Sequence, residues 1–350
     1  MKTDMTVEQL VSKVNDLSLI KRDYCVDANN LVVHSDCMGS KLCIGDSSYI
    51  MQENAKKQLA SLCNIPYSYI NRIEGRYPEL VDINYNTALQ DIRSTRLIRT
   101  VGPYARAVLS DKYRRFENED VLKTLLPMLE NYKGLSVVSS SLTDAKMYLK
   151  VVSAKEEAEV RVGDVIQFGA LITNSEVGMG GIAITPFCLR LVCTNGMTLP
   201  KYNKSVRHIH LGKRFSTIEE YEASTVDEDD LFSRVSISLL SALDPLYYMK
   251  VIEKMKLAAE IRVVDYQDSI DKVAKHFGLD EEERLRIIHH YLAEHDTTLY
   301  GLVNAVTRSA QDSLTYVRAT ELEKIGSDIL YEGVKAANRG DESEVFGLLS

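Results

Sequence analysis

The stretch from Gly163 to Pro200, GDVIQFGALITNSEVGMGGIAITPFCLRLVCTNGMTLP, constrains the fold more than any other part of the chain. Two runs rich in β-branched and apolar residues, Val165 to Thr173 and Ile182 to Val192, flank a turn running from Asn174 to Gly181. The turn ends in Gly178, Gly180 and Gly181, and a second polar turn, Thr194-Asn195-Gly196, closes the unit. Runs of this length joined by residues of this kind predict a strand pair near the middle of a sheet. A dinucleotide fingerprint would need a helix after the glycines, but Ile182-Ala183-Ile184-Thr185 are strand formers, so the glycines are read as turn residues. Asn174, Ser175 and Glu176 admit two readings: a small-ligand turn at a strand end, or side chains that cap the turn locally.

The β-rich middle extends on both sides of this pair, over about 96–215. Arg96 to Val101 and Tyr104 to Leu109 flank Gly102-Pro103, a hairpin signal. Neither face of that hairpin is wholly apolar, which suits a sheet edge or a cleft wall. Asn118 is placed to cap a helix to about Glu130, and strands are expected at 135–140 and 147–152, followed by a Glu-rich polar turn at 155–159. Residues 1–95 read as mainly helical with two short strands at 31–33 and 41–44. Helices are expected from about Tyr49 to Leu62 behind the Asp46-Ser47-Ser48 caps, from Tyr67, and from Pro78 to about Asp91. Residues 216–332 read as a helical C-terminal domain with segments near 228–242, 245–260, 266–277, 281–294, 297–312 and 316–331, and 333–350 as a tail. The expected class is α+β: a central, mainly antiparallel sheet flanked by helices, with a helical C-terminal domain.

Charge decides between function classes. The net charge of −8 argues against nucleic acid, but the positive charge is concentrated. Residues 91–116 hold seven Lys/Arg against two acids, and 201–214 hold five against none. An acidic run at 219–230 follows directly. Arg96, Arg99, Arg106, Lys112, Arg114 and Arg115, with Lys204, Arg207, Lys213 and Arg214, are therefore candidate phosphate contacts. Tyr104 and Tyr113 are candidate stacking surfaces for a single strand. The competing expectation is that these arginines pair with acids of the helical domain.

Catalysis is not expected, because no nucleophile is framed by a base and neither G-x-S-x-G nor H-E-x-x-H occurs. His290 and Glu294 share a helix face but lack further ligands nearby in sequence, so a solvated face is expected and neither metal nor cofactor is assigned. Six cysteines without a C-x-x-C pair, no signal-type apolar block and no run near the roughly 20 residues of a membrane span point to reduced thiols in a cytoplasm.

Four phrases carry a resemblance: Arg106-Ala-Val-Leu-Ser-Asp-Lys-Tyr-Arg114, Asn174-Ser-Glu-Val-Gly178, Arg190-Leu-Val-Cys-Thr-Asn-Gly-Met197 and Gly301-Leu-Val-Asn-Ala-Val-Thr307. Over roughly 48–331 the chain resembles the phage- and plasmid-borne family called domain of unknown function 932. The resemblance implies a mobile-element origin and an intracellular role in DNA metabolism. It also suggests kinship with ring-forming single-strand annealing proteins; a homo-oligomer is expected, with self-association through the helical C-terminal domain. The family carries no established chemistry to transfer. The function expected is non-catalytic binding or annealing of single-stranded nucleic acid. The alternatives are a protein-binding factor, such as an inhibitor of host defence, and a nucleotide-acting enzyme whose cleft would join Asn174, Glu176 and the basic loop.

Overall fold

The structure, a computed structural model, describes residues 2–113, 115–131, 134–200, 235 and 237–338. Two sheets organise it. The first contains β1 (Lys21–Asp27), β2 (Leu31–Asp36), β3 (Gly39–Ile44), β4 (Ser47–Met51), β5 (Thr95–Val101) and β6 (Tyr104–Ser110), in the order β1-β5-β6-β4-β3-β2. Every pairing is antiparallel except β4 with β6. Between β4 and β5 the chain forms α2 (Glu53–Leu62), α3 (Tyr67–Ile73) and α4 (Pro78–Gln90), whose Leu59, Ile70, Val81, Tyr85 and Leu89 share a core with Leu31, Val33, Leu42, Ile98 and Val108. The Tyr24 and Tyr49 hydroxyls meet at 2.6 Å although β5 and β6 lie between their strands, so this sheet is strongly curled. At its β2 edge, Asn86 of α4 accepts from the Val33 amide and donates to the Val33 carbonyl, occupying groups that a further strand would use.

The second sheet is an antiparallel meander of β7 (Leu135–Leu142), β8 (Met147–Glu159), β9 (Val165–Asn174), β10 (Ala183–Arg190) and β11 (Asn195–Thr198). Both its faces are covered, which is why β9 and β10 are nearly continuous apolar runs. Leu149, Val151, Ala170, Ile172 and Ile184 pack against α1 (Val7–Ile20) and α5 (Asn118–Asn131). Further along the same face, Ile166, Phe168, Cys188 and Met197 meet the C-terminal helices: α6 (Pro245–Ala258), α7 (Tyr266–Phe277), α8 (Glu281–Glu294), α9 (Leu299–Ser309) and α10 (Tyr316–Ala337). On the opposite face Tyr148, Val152, Leu171, Phe187 and Leu189 close over Tyr316. Gly169 lies where the β8 backbone bulges towards β9: a Cβ there would stand 1.8 Å from the Val151 carbonyl oxygen.

The α+β class, the 163–200 strand pair and the helical C-terminal region match expectation. The N-terminal region differs from it. Tyr49 to Met51, expected to open a helix, form β4, because their backbone pairs with β3 on one side and β6 on the other; α2 starts only at Glu53. β1 was not expected, since KRDYCVD has no apolar alternation; it exists through seven register partners on β5. The first sheet thus runs through position 95, where the sequence suggests a division. Residues 155–159, expected as a turn, continue β8 after a register shift between Val152 and Glu157. The acidic run at 219–230 and the tail beyond 338 lie outside the described residues. Among the described residues no helix is long and apolar enough to cross a membrane.

Candidate binding site at the junction of the two sheets

The turn after β9 joins the sheets. Val177 is buried among Leu97, Ala107 and Leu109 of the first sheet. Gln58 of α2 donates to the Val177 carbonyl at 2.7 Å and accepts from the Val108 amide at 2.8 Å, stitching turn, helix and strand together. Gly178 has φ +79°, and a Cβ there would come within 2.5 Å of Leu109 Cδ2, so both conformation and space require glycine. Ser175 Oγ donates to the Ala145 carbonyl and accepts from the amides of Val177 and Met179. Asn174 Nδ2 donates to the Phe116 carbonyl and to Asn118 Oδ1, both at 2.9 Å. Ser175 thus caps the turn locally through the Val177 and Met179 amides, whereas the Asn174 side chain bonds across to residues 116 and 118 rather than within the turn.

Glu176 is the charged centre of this junction. Its Oε1 accepts from Lys21 Nζ at 2.5 Å and from the Asn118 amide at 2.8 Å, and its Oε2 faces Arg106 Nη2 at 2.9 Å. Burial pushes the carboxyl pKa up, but the Lys21 ammonium and the Arg106 guanidinium outweigh it and hold the value down at about 2. Arg99, 3% exposed, donates to the Glu176 carbonyl at 2.9 Å, to Asp23 at 3.0 Å and to Glu117. Lys21 also reaches Glu117 at 3.1 Å, and Arg115 stands 3.3 Å from Asp23. Four cations and three carboxylates are thus interleaved across the two sheets.

Beside this network is a cavity of about 230 Å³ lined in part by Lys13, Leu17, Lys21, Gln52, Tyr104, Arg106, Asn118, Leu142, Asp144 and Glu176. Tyr104 is 42% exposed, and Lys13 is exposed on α1. A shallower depression bordered by Arg22, Asp23, Arg99 and Glu117 shares Lys21 with it. The lining combines an aromatic ring, apolar walls and an excess of cations, a chemistry suited to a planar ligand carrying negative charge.

The candidate residues divide. Arg99 and Arg106 are brought together, but as buried partners of carboxylates, and Arg106, 7% exposed, lines the cavity. Tyr113 is half-buried and donates to the Ser175 carbonyl at 3.1 Å; burial pushes its hydroxyl pKa up. Arg96 stands apart, bonded to Ser94, and Lys112 is exposed in the turn after β6. Arg114, Lys204, Arg207, Lys213 and Arg214 lie outside the described residues. Sequence reasoning missed Lys13, Lys21, Asp23 and Glu117; the only local hint was the charged triplet Lys21-Arg22-Asp23 in an otherwise unremarked segment. His290 bonds Asp312 at 2.7 Å while Glu294 bonds Arg190 at 2.9 Å, so that helix pair has separate partners. Among the described residues no group of three metal-ligating side chains is found.

A second buried ionic site lies on the far face of the meander. Lys150 of β8 and Glu323 of α10 are both fully buried, with Nζ 2.7 and 2.6 Å from the two carboxylate oxygens. The ammonium lies 4.9 Å from the Tyr316 ring centre and 5.4 Å from that of Phe187. A Cβ on Gly196 would press on Glu323 Oε1 at 2.7 Å, so the pair is sealed on that side by bare backbone.

Fold and site together define an α+β protein in which two sheets are riveted by a charged turn. A family model described as Domain of unknown function (DUF932) matches residues 105–325, well over half of the chain, and the protein belongs to that family. The match opens inside β6 and takes in the whole meander, the 174–178 turn and the helices as far as α10. No curated protein and no solved structure gives a significant match.

Proposed function

We propose that the protein binds single-stranded nucleic acid without catalysing a reaction, in the DNA metabolism of a phage or plasmid. The observation that carries this reading is the cleft at the sheet junction, where the exposed Tyr104 ring stands with Lys13 and Lys21 around one opening. Stacking on an aromatic ring and cations for the backbone are what sequence-tolerant single-strand binding requires. In this reading Arg99 and Arg106 shape the cleft, while Lys13, Lys112 and Arg115 meet phosphates. Fluorescence anisotropy with a labelled oligodeoxynucleotide tests it. Affinity is expected to fall steeply between 50 and 200 mM salt, about as counterion release demands for several phosphate contacts. Absent or salt-independent binding overturns the proposal, and a parallel mass measurement in solution tests self-association.

A second reading, a protein-binding factor, is favoured by the neutralisation of Arg99 and Arg106 by Asp23, Glu117 and Glu176. It predicts no oligonucleotide binding and a partner held by other surfaces, for instance the exposed Leu80 and Ile83 of α4 and Tyr77 just before it.

A further inference from the structure

We propose that β1 is a dimerisation strand, pairing antiparallel with β1 of a second copy of this chain across a two-fold axis at Tyr24. This interface lies on the first sheet and not on the helical C-terminal region, and it is independent of what the cleft binds. Three observations lead to it.

The first is an open edge. Of the four sheet edges, three are capped or short. Asn86 holds the β2 edge at Val33, and the amides of Asp4 and Met5 donate to the Ser140 carbonyl on β7 at 3.2 and 3.4 Å. β11 has four residues, and its Asn195 side chain donates to the Asn304 carbonyl of α9 at 3.2 Å. β1 has seven residues, of which Arg22, Cys25 and Asp27 are exposed. Its direction is fixed at both ends: the Ile20 carbonyl accepts from the Gly102 amide at 3.1 Å, and the Ala28 amide donates to the Ser94 carbonyl at 3.0 Å. The register with β5 is unbroken between them, so the even-numbered residues turn their N–H and C=O groups to β5. Lys21, Asp23, Cys25 and Asp27 turn theirs outwards. The Lys21 carbonyl accepts from Arg22 Nη1 at 2.7 Å, and Asp27 leads into the 3-10 turn Ala28–Asn30. Among the described residues nothing bonds the amide or carbonyl of Asp23 or of Cys25 on the outer side. An unpaired edge of this kind is a template for another strand.

The second is the register, which singles out a second copy as the occupant. A two-fold centred on Tyr24 sets Asp23 opposite the partner's Cys25, Arg22 opposite the partner's Val26 and Lys21 opposite the partner's Asp27. The free groups of Asp23 and Cys25 then satisfy each other through about four main-chain bonds. A slide of one residue sets outward groups against groups already turned to β5. A slide of two sets Asp23 against the partner's Asp23 or the partner's Asp27, and like charges directly opposite are unfavourable. Longer slides leave Asp23 or Cys25 unpaired.

The third is charge complementarity. The junction network sets Lys21, Arg99, Arg106 and Arg115 against Asp23, Glu117 and Glu176, an excess of one cation. Asp27 accepts from Thr95 Oγ1 at 2.7 Å and makes no ion pair among the described residues. Placed opposite Lys21, the partner's Asp27 supplies the missing carboxylate.

The test uses the full chain. Sedimentation velocity over a concentration series is expected to show a reversible equilibrium between monomer and dimer. Cys25→Pro removes an outward N–H and leaves the β5 ladder intact, while Asp27→Lys faces the partner's Lys21 with a like charge. Each should weaken the dimer at least about tenfold without changing the circular dichroism spectrum. The register is tested by cross-linking in a chain carrying Cys37→Ser and Cys43→Ser. There Cys25 is diagonal to the partner's Cys25, roughly 7–8 Å away, where a disulfide favours roughly 5.5–6 Å. A short bismaleimide should therefore link two copies, and copper-catalysed oxidation should not. A monomer at every concentration overturns the proposal, as does a mass above the dimer, because a two-fold interface closes at two copies. A dimer that Asp27→Lys leaves intact puts the interface elsewhere and overturns it, whatever Cys25→Pro does to folding. Ready disulfide formation at Cys25, or a dimer that the bismaleimide fails to link, overturns the pairing at Tyr24.

Discussion

The molecule buries ionic groups in two places, and the two are built differently. Lys150 and Glu323 form a closed pair: one cation, one anion, aromatic rings around the ammonium, and both side chains fully buried. The sheet junction is an open network, in which Lys21, Arg99, Arg106 and Arg115 share Asp23, Glu117 and Glu176, and one side borders a cavity. A closed pair fixes how α10 docks on the meander and has no coordination left for a ligand. An open network keeps the sheets together while retaining polar groups at a cleft. Burial of charge alone does not single out a candidate site; the cavity beside the buried charge is what sets the junction apart.

The largest effect should come from breaking the closed pair on one side. Lys150→Met strands the Glu323 carboxylate in the core and should cost about 3–5 kcal/mol of unfolding free energy, while the double variant Lys150→Met/Glu323→Leu should regain most of it. Urea unfolding of both variants checks this, and equal loss in single and double would mean that the pair itself is strongly net stabilising.

Next comes the open network under acid. The folded pKa of Glu176 is depressed from 4.5 to about 2, so its stabilisation is complete above about pH 4.5 and is lost as pH falls towards 2. That difference corresponds to about 3 kcal/mol. Glu176→Gln should lack this part of the acid limb, and a pH series of thermal melts that keeps the same limb would show the shift to lie elsewhere.

A smaller loss is expected for Gly178→Ala, about 1–3 kcal/mol, from the positive φ together with the crowding against Leu109. Trimming Leu109 in the same chain should recover the steric share only. Tyr104→Ala should change stability least, by under about 0.5 kcal/mol, while weakening oligonucleotide binding by about 1–3 kcal/mol. Together these variants separate what holds the sheets together from what faces a ligand.

Legibility in the sequence followed the range of the physics involved. β9 and β10 were readable because an apolar run and a glycine-rich turn are local signals. α7 and α8 were readable almost to the residue, because Asp265 and Asp280 cap their N-termini and Gly278 ends α7 in a left-handed conformation. β1 and β4 were not, since their apolar content is modest and their partners lie elsewhere in the chain. At the site, the basic hairpin and the Asn174-Ser175-Glu176 turn were each found, but as separate features. That Arg106 and Glu176 are partners, and that Gln52 and Lys13 stand beside them, cannot be read from spacing.

The sequence by itself determined the class, the meander's central strands and the helical C-terminal region, because periodicity, caps and turn residues act within a few positions. The tertiary structure alone decided what the charges are for. Arg99 and Arg106 look like exposed phosphate contacts on a strand of mixed character. They become buried partners only when a turn seventy or more residues further on brings Glu176 against them. Coulomb interaction and desolvation depend on distance in space and on access to water, and neither is encoded in the order of residues along the chain.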